Sequence, residues 1–180
     1  MVLFDTKKSC CGCTACASVC PKQAIEMLPD ENGFFYPKIN NELCINCNLC
    51  KKVCSYQNHR LTYSEKKVFA ATSQNTNILE SASGGLFASF AKTILAKGGI
   101  IYGSAMQYYN NQLHVRHIKV TDESDLHLLK GSKYVHSNMD GIFPEILSDL
   151  KKQKTVLFSG TPCQVAGLKG YLQKDYPNPV

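Results

Sequence analysis

Apolar and polar positions divide the chain into a turn-rich first third and a longer stretch with clear helix and strand periods. Ala24-Ile25-Glu26-Met27-Leu28 and Phe34-Phe35-Tyr36-Pro37-Lys38-Ile39 are apolar runs separated by Pro29-Asp30-Glu31-Asn32-Gly33. An Asn-Gly pair between such runs predicts a hairpin of two short strands. Ser55 to Glu65 is polar and aperiodic and predicts a linker. Val68-Phe69-Ala70-Ala71-Thr72 then predicts a strand. Ser83-Gly84-Gly85 opens an amphipathic helix with apolar positions at Leu86, Phe87, Phe90, Ile94 and Leu95, ended by Gly98-Gly99. Ile100 to Ala105 and Leu113 to Val120 predict two further strands. Asp122 caps a short helix through Leu129, and another helix is expected from about Met139 to Lys152. Thr155 to Ser159 reads as a buried strand, and Gly160-Thr161-Pro162-Cys163 starts the last helix. Strands alternating with helices predict an α/β sandwich or a mixed sheet, and with the first module the chain as a whole is α+β. The expected boundaries are 1–56 for a first module, 57–66 for a linker and 67–180 for a second domain.

The cysteines give the first module its chemistry. Nine of the ten lie within the first 54 residues, and eight of them follow one repeated rule. Cys10, Cys13, Cys16 and Cys20 are spaced x2, x2, x3 and are followed by Pro21; Cys44, Cys47, Cys50 and Cys54 repeat that spacing. This is the ligand run of a bacterial two-cluster ferredoxin, in which the fourth cysteine of each run ligates the other cluster. On that pattern Cys10, Cys13, Cys16 and Cys54 hold one [4Fe–4S] cluster, and Cys44, Cys47, Cys50 and Cys20 hold the second. Three thiolates two residues apart let a short loop wrap a cubane with its N–H groups turned toward the sulfurs. The fourth lies on a helical turn that has left the loop and reaches the neighbouring cluster. Hairpin side chains, including Ile25, Phe34 and Ile39, are expected to cover the clusters.

Other uses of these cysteines fit less well. Zinc sites use paired knuckles separated by a longer gap. Disulfides need an oxidising compartment, and the start MVLFDTKKSCCGC has no apolar signal core. Cys11 reads as a spare thiol beside a ligand. These features point to a cytoplasmic, reducing location. No stretch approaches the roughly 20 apolar residues of a membrane span. The formal charge of +6 counts every cysteine as neutral. Two oxidised cubanes of about −2 each bring the total near about +2, which argues against nucleic acid as a partner. Lys151-Lys152-Gln153-Lys154 reads as a solvated helix end.

Three segments of the second domain lie at turns into helices. Ser81-Ala82-Ser83-Gly84-Gly85 offers amide groups and a positive helix end for a phosphate, or simply a cap. Leu129-Lys130-Gly131-Ser132-Lys133-Tyr134-Val135 suits a nucleotide diphosphate and a stacked ring, or is an ordinary surface loop. In Ser159-Gly160-Thr161-Pro162-Cys163-Gln164, Pro162 fits the first helical position, and the helix N-terminus stabilises a thiolate. Cys163 therefore reads as a metal ligand or reactive thiol, with a buried structural thiol as the alternative. His114 and His117 face opposite sides of a strand and read as structural.

The order of these motifs after a two-cluster module resembles the coenzyme F-420 hydrogenase/dehydrogenase beta-subunit family. The similarity runs along nearly the whole chain, and Phe158-Ser159-Gly160-Thr161-Pro162-Cys163-Gln164 is its most distinctive part. Members are flavoproteins that pass electrons between iron–sulfur clusters, FAD and, in archaea, a deazaflavin. The resemblance implies an α/β flavin-binding domain, FAD contacts near Ser83, Gly84, Gly85, Lys130, Ser132 and Lys133, and a further iron–sulfur site containing Cys163. Relatives continue past the position of Val180 with more cysteines. The chain is therefore expected to be a fragment, a truncated product or one part of a split system.

Two functional classes follow. One is an iron–sulfur flavoprotein oxidoreductase, with FAD converting electron pairs to single electrons for the clusters. The other is a ferredoxin-like carrier without catalysis, whose second domain docks a redox partner. No catalytic residue is identifiable.

Overall fold

The computed structural model describes residues 3–58, 67–74 and 81–176. Two compact units are present, and they are not a single cut of the chain. The first contains residues 1–59, 138–148 and 160–176; the second contains 60–137, 149–159 and 177–180. Most of the expected linker, 59–66, lies outside the described residues. Gln57 and Asn58, at its start, are part of the first unit, where the Asn58 side-chain amide donates to the carbonyls of Lys51, Lys52 and Cys54 at 2.7, 2.8 and 3.2 Å.

In the first unit, a 3₁₀ turn at Lys7–Ser9 leads to helix α1 (Ala15–Val19). Strands β1 (Ile25–Pro29) and β2 (Phe35–Ile39) follow, then helix α2 (Leu49–Val53). The strands form the expected antiparallel hairpin, with Ile25 opposite Ile39 and Pro29 opposite Phe35. Its turn is closed by Asp30, whose carboxylate accepts from the Asn32 and Phe34 amides at 3.0 Å and pairs with Lys7 at 2.8 Å. Phe34 is therefore a turn residue, 52% exposed, and not the cover expected of it. Leu3, Ile25 and Cys50 form one buried cluster here, with Phe4, Val19 and Ile39 packed around them, and Val53, Phe143 and Ile146 are buried elsewhere in the unit.

The second unit is built on helix α3 (Leu86–Ala96) and strands β3 (Ile100–Tyr109), β4 (Gln112–Val120) and β5 (Val156–Phe158). The sheet order is β4-β3-β5, antiparallel on one side of β3 and parallel on the other. β3 extends four residues past its expected end because Asn110 and Asn111 adopt φ of 50° and 57°. Two left-handed residues make the tight turn whose twist matches a hairpin. Ala91, Ile94, Ile101, Ala105, Val120, Leu126 and Leu129 form its core. Phe90, placed on the apolar face by its spacing, is 57% exposed because the smaller Ala88 and Ala91 make the buried stripe. The segment after Asp122 is a 3₁₀ helix (Glu123–Leu129), with the Asp122 carboxylate accepting from the Ser124 amide at 2.8 Å. Most of helix α4 (Ile142–Lys151) and all of helix α5 (Pro162–Leu172), near their expected positions, belong to the first unit.

Val68–Thr72 is not a strand. Val68 and Phe69 are 92% and 79% exposed. The segment instead bonds to the turn before α3: the Ser73 amide and the Thr72 hydroxyl donate to the Gly84 carbonyl at 2.7 and 3.2 Å. The Ser73 amide, a group a sheet ladder would use, is thus spent on that turn.

The sheet also buries polar side chains. Asp149 accepts from Tyr102 at 2.7 Å and from Lys119 at 2.6 Å. Burial pushes its carboxyl pKa up, but these two donors and the lysine charge outweigh that effect and leave it below the usual range. His117 is 1% exposed, stacked on Phe158, and bonded at Nε2 to the Ser159 carbonyl (3.0 Å) and at Nδ1 to the Ser137 hydroxyl (2.9 Å). The carbonyl can only accept, so Nε2 carries the proton and Nδ1 accepts from Ser137.

Burial holds the His117 pKa down to about 4 from an ordinary 6.5. The unfolded chain binds a proton below pH 6.5 that the folded unit refuses until about pH 4, so stability falls as pH drops through that window. The loss amounts to about 3 kcal/mol. Hydrogen-exchange protection of β3 amides, corrected for intrinsic rates, is expected to fall from pH 7 to pH 5. His117→Gln is expected to be less protected at pH 7 and to lose most of that slope.

Candidate metal centre

The cysteine repeat is matched by a repeat of the backbone. Each feature of the first half recurs 34 residues on, from Cys10 and Cys44 to Cys20 and Cys54. Gly12 and Asn46 both have left-handed φ, 64° and 54°, as do Thr14 and Asn48, 65° and 59°. α1 and α2 are each five residues long, and Cys20 and Cys54 leave them in the same extended conformation, φ −70° and −69°. The reversals before each helix fold a short loop around a concave space. Glycine at position 12 meets this demand at no steric cost, and asparagine tolerates it at 46 and 48.

Each loop borders a hollow. One, of about 350 Å³, is lined by Cys20, Cys44, Cys47 and Cys50 among Pro21, Ile25, Ile39 and Leu49. The other, of about 420 Å³, is lined by Cys10, Cys13, Cys16 and Cys54, with Cys11 also at its wall and Leu3, Phe4 and Met27 around them. Each hollow thus gathers three cysteines from its own loop and one from the end of the other helix. The crossing follows from the five-residue helices. The fourth cysteine emerges one turn beyond its loop, where the chain has straightened.

Backbone amides point at the sulfurs. Cys20 accepts from Ala24 at 3.3 Å, and Cys10, Cys13, Cys16 and Cys50 accept from Gly12, Ala15, Ala17 and Lys51. Such bonds stabilise sulfur charge. Burial pushes the thiols of Cys10 and Cys50 up, and that of Cys16 to about 12. Cys13 moves down, chiefly through its hydrogen bond with Cys11, and Cys11 moves up for the same reason. Four soft sulfur donors in an apolar pocket with N–H groups aimed at them suit an iron–sulfur cubane, whose binding displaces the thiol protons.

Helix α5 also builds this site, and its contribution is not evident from the cysteine spacing. Thr161 caps it in a reciprocal pair with Gln164. Gly167 lies so close to the first loop that a Cβ there would come within 2.8 Å of both Cβ and Sγ of Cys13. The only trace in the sequence is a pair of glycines, Gly167 and Gly170, inside a helix, where glycine costs stability and so marks close approach.

The flavin contacts implied by the resemblance fall elsewhere. Ser83, Gly84, Gly85, Lys130 and Ser132 line one open cavity of about 920 Å³ in the second unit, together with Ala71, Gly131 and Ser159. Lys133 is not in its wall. Its ammonium donates to the carbonyls of Leu128 and Lys130 at 3.3 and 2.7 Å, and burial lowers its pKa. Among the described residues, no helix is long and apolar enough to cross a membrane.

Replacing Gly167 by Ala is expected to push the first loop off α5 and loosen the hollow that holds Cys13, at a cost of about 1–3 kcal/mol. Iron per chain is expected to fall by up to half, read by colorimetric iron and labile-sulfide assays. Unchanged iron and thermal stability would show that the contact is slack.

Residues 9–58 match the family described as a 4Fe-4S dicluster domain. An uncharacterized polyferredoxin-like protein of Methanocaldococcus jannaschii is 43% identical over 53 residues, covering 25% of this chain and 32% of the relative. An uncharacterized ferredoxin of the same organism is 40% identical over 53 residues, covering 29% of this chain and 66% of the relative. The chain thus spans about a third of one relative and just under two thirds of the other. The similarity, the repeated cysteine runs and the paired hollows agree: the chain carries a 4Fe–4S dicluster domain of the ferredoxin kind over residues 9–58.

Proposed function

We propose that this chain transfers single electrons through two [4Fe–4S] clusters. One is held by Cys10, Cys13, Cys16 and Cys54, the other by Cys44, Cys47, Cys50 and Cys20. The observation that carries this reading is the grouping of four cysteines around each of two apolar hollows within a domain of the 4Fe–4S dicluster kind. The clusters supply the one-electron chemistry when bound. The protein's residues exclude water through Ile25, Ile39, Leu3 and Phe4, and the loop amides stabilise negative charge on the ligand sulfurs. Cys47 is exposed, so the second loop offers an approach for a redox partner protein. Thiolate ligation suits a reducing, cytoplasmic setting.

A second reading, the flavoprotein oxidoreductase of the coenzyme F-420 hydrogenase/dehydrogenase beta-subunit type, is favoured by one observation. Five of its six implied FAD contacts line a single cavity of about 920 Å³. Lys130 and the N-terminus of α3 would face the phosphates of a dinucleotide. FAD would then pair two-electron chemistry with the clusters.

Anaerobic purification with iron and sulfide assays tests the first reading, with about eight irons per chain expected. Cys20→Ser is expected to perturb the cluster of the second loop, and Cys54→Ser that of the first, each seen as loss of one of two spectroscopic signals. About four irons in the unmodified protein would overturn the two-cluster assignment. Titration with FAD separates the readings. Saturable quenching of flavin fluorescence that Lys130→Glu weakens about tenfold supports the flavoprotein; no binding leaves the carrier alone.

A further inference from the structure

Thr14 is the residue of the first cluster loop that the ligand pattern leaves unexplained. It lies between Cys13 and Cys16 and lines the hollow that Cys10, Cys13, Cys16 and Cys54 surround. Its backbone is left-handed, with φ 65° and ψ 0°, a strained conformation for a β-branched residue. Thr14 is only 5% exposed. Its hydroxyl is buried and has no hydrogen-bond partner among the described residues, and it does not cap α1 although it stands at the helix start. A buried hydroxyl left unpaired costs free energy, so strain and desolvation fall on the same residue. The matching position of the second loop meets the backbone demand without either cost. Asn48 has φ 59°, which asparagine tolerates, and the residue is exposed. Glycine at position 14 would also relieve the strain, so the hydroxyl is the feature to account for.

We propose that the Thr14 hydroxyl donates a hydrogen bond to a sulfur of the first-loop cluster and raises the reduction potential of that cluster. The inference rests on the two-cluster reading above and adds to it a residue that sets one potential apart from the other. A hydroxyl is a donor that needs an acceptor, and sulfur carrying negative charge is what this hollow is built to hold. The bond strengthens as an electron arrives, because the charge on the sulfurs grows. It therefore favours the reduced form. Reduction takes one electron from the redox partner and moves no proton; Thr14 keeps its hydroxyl hydrogen in both states. Asn48, being exposed, is no counterpart of this buried donor, so the effect falls on one cluster of the two.

The test uses the anaerobically purified full chain, its iron measured first, in a spectroscopically monitored redox titration with dithionite as reductant. The first-loop signal is the one that Cys54→Ser removes. Thr14→Val deletes the hydroxyl and keeps the branched shape. It is expected to retain its iron and to weaken reduction of the first-loop cluster about tenfold, a shift of about 59 mV to more negative potential. The second-loop signal is expected to stay in place. Thr14→Ser keeps the hydroxyl and is expected to keep the potential of the unmodified protein. Thr14→Gly relaxes the backbone and lacks the hydroxyl, so it is expected to match the valine variant, and it carries the test if valine prevents cluster loading. The proposal is overturned if the loaded valine or glycine variant keeps the original potential, or if serine shifts it as far as they do. A second-loop signal that moves as far as the first also overturns it. So does loss of iron in the serine and glycine variants alike, because Thr14 would then be purely structural. Failure of the two-cluster reading is seen separately, as about four irons in the unmodified protein.

Discussion

The first unit depends on two five-residue helices that cannot hold themselves. Each is far below the length at which a helix is stable in water. What organises this region is the exchange of cysteines at the helix ends. Cys20 leaves α1 for the hollow of the second loop, and Cys54 leaves α2 for that of the first. Each loop is therefore completed only by the other, and neither half can form its site alone.

The second unit is stabilised in the ordinary way, by an apolar layer between α3 and a three-stranded sheet. Its exceptions are Asp149 with Lys119 and Tyr102, and His117 between Ser137 and Ser159. These buried groups are satisfied, so they cost little while intact and resist substitution. The open cavity beside α3 owes its shape to Gly84, where the backbone of Ala71 leaves no room for a side chain.

Local signals were legible where the physics is local. The hairpin, α3, the capped segment after Asp122 and the Pro162 start of α5 all follow from turn chemistry or period. Val68–Thr72 misled because its β propensity is real but no strand partner exists for it among the described residues. Phe34 and Phe90 misled for a related reason. An apolar residue in the right period is buried only if something covers it, and here a turn and a stripe of alanines decide otherwise.

By itself the sequence determined that this protein has two thiolate-rich loops of one design, because the spacing of the cysteines is a local matter of how a chain wraps a cubane. It also marked the small residues and cations near Ser83 and Lys130. Only the tertiary structure decided that those residues share one cavity and that α5 returns to rest on Cys13. Such contacts join segments far apart in the chain, Gly167 with Cys13 across more than a hundred residues. They are set by which surfaces fit closely enough to exclude water, a property that no short stretch of sequence contains.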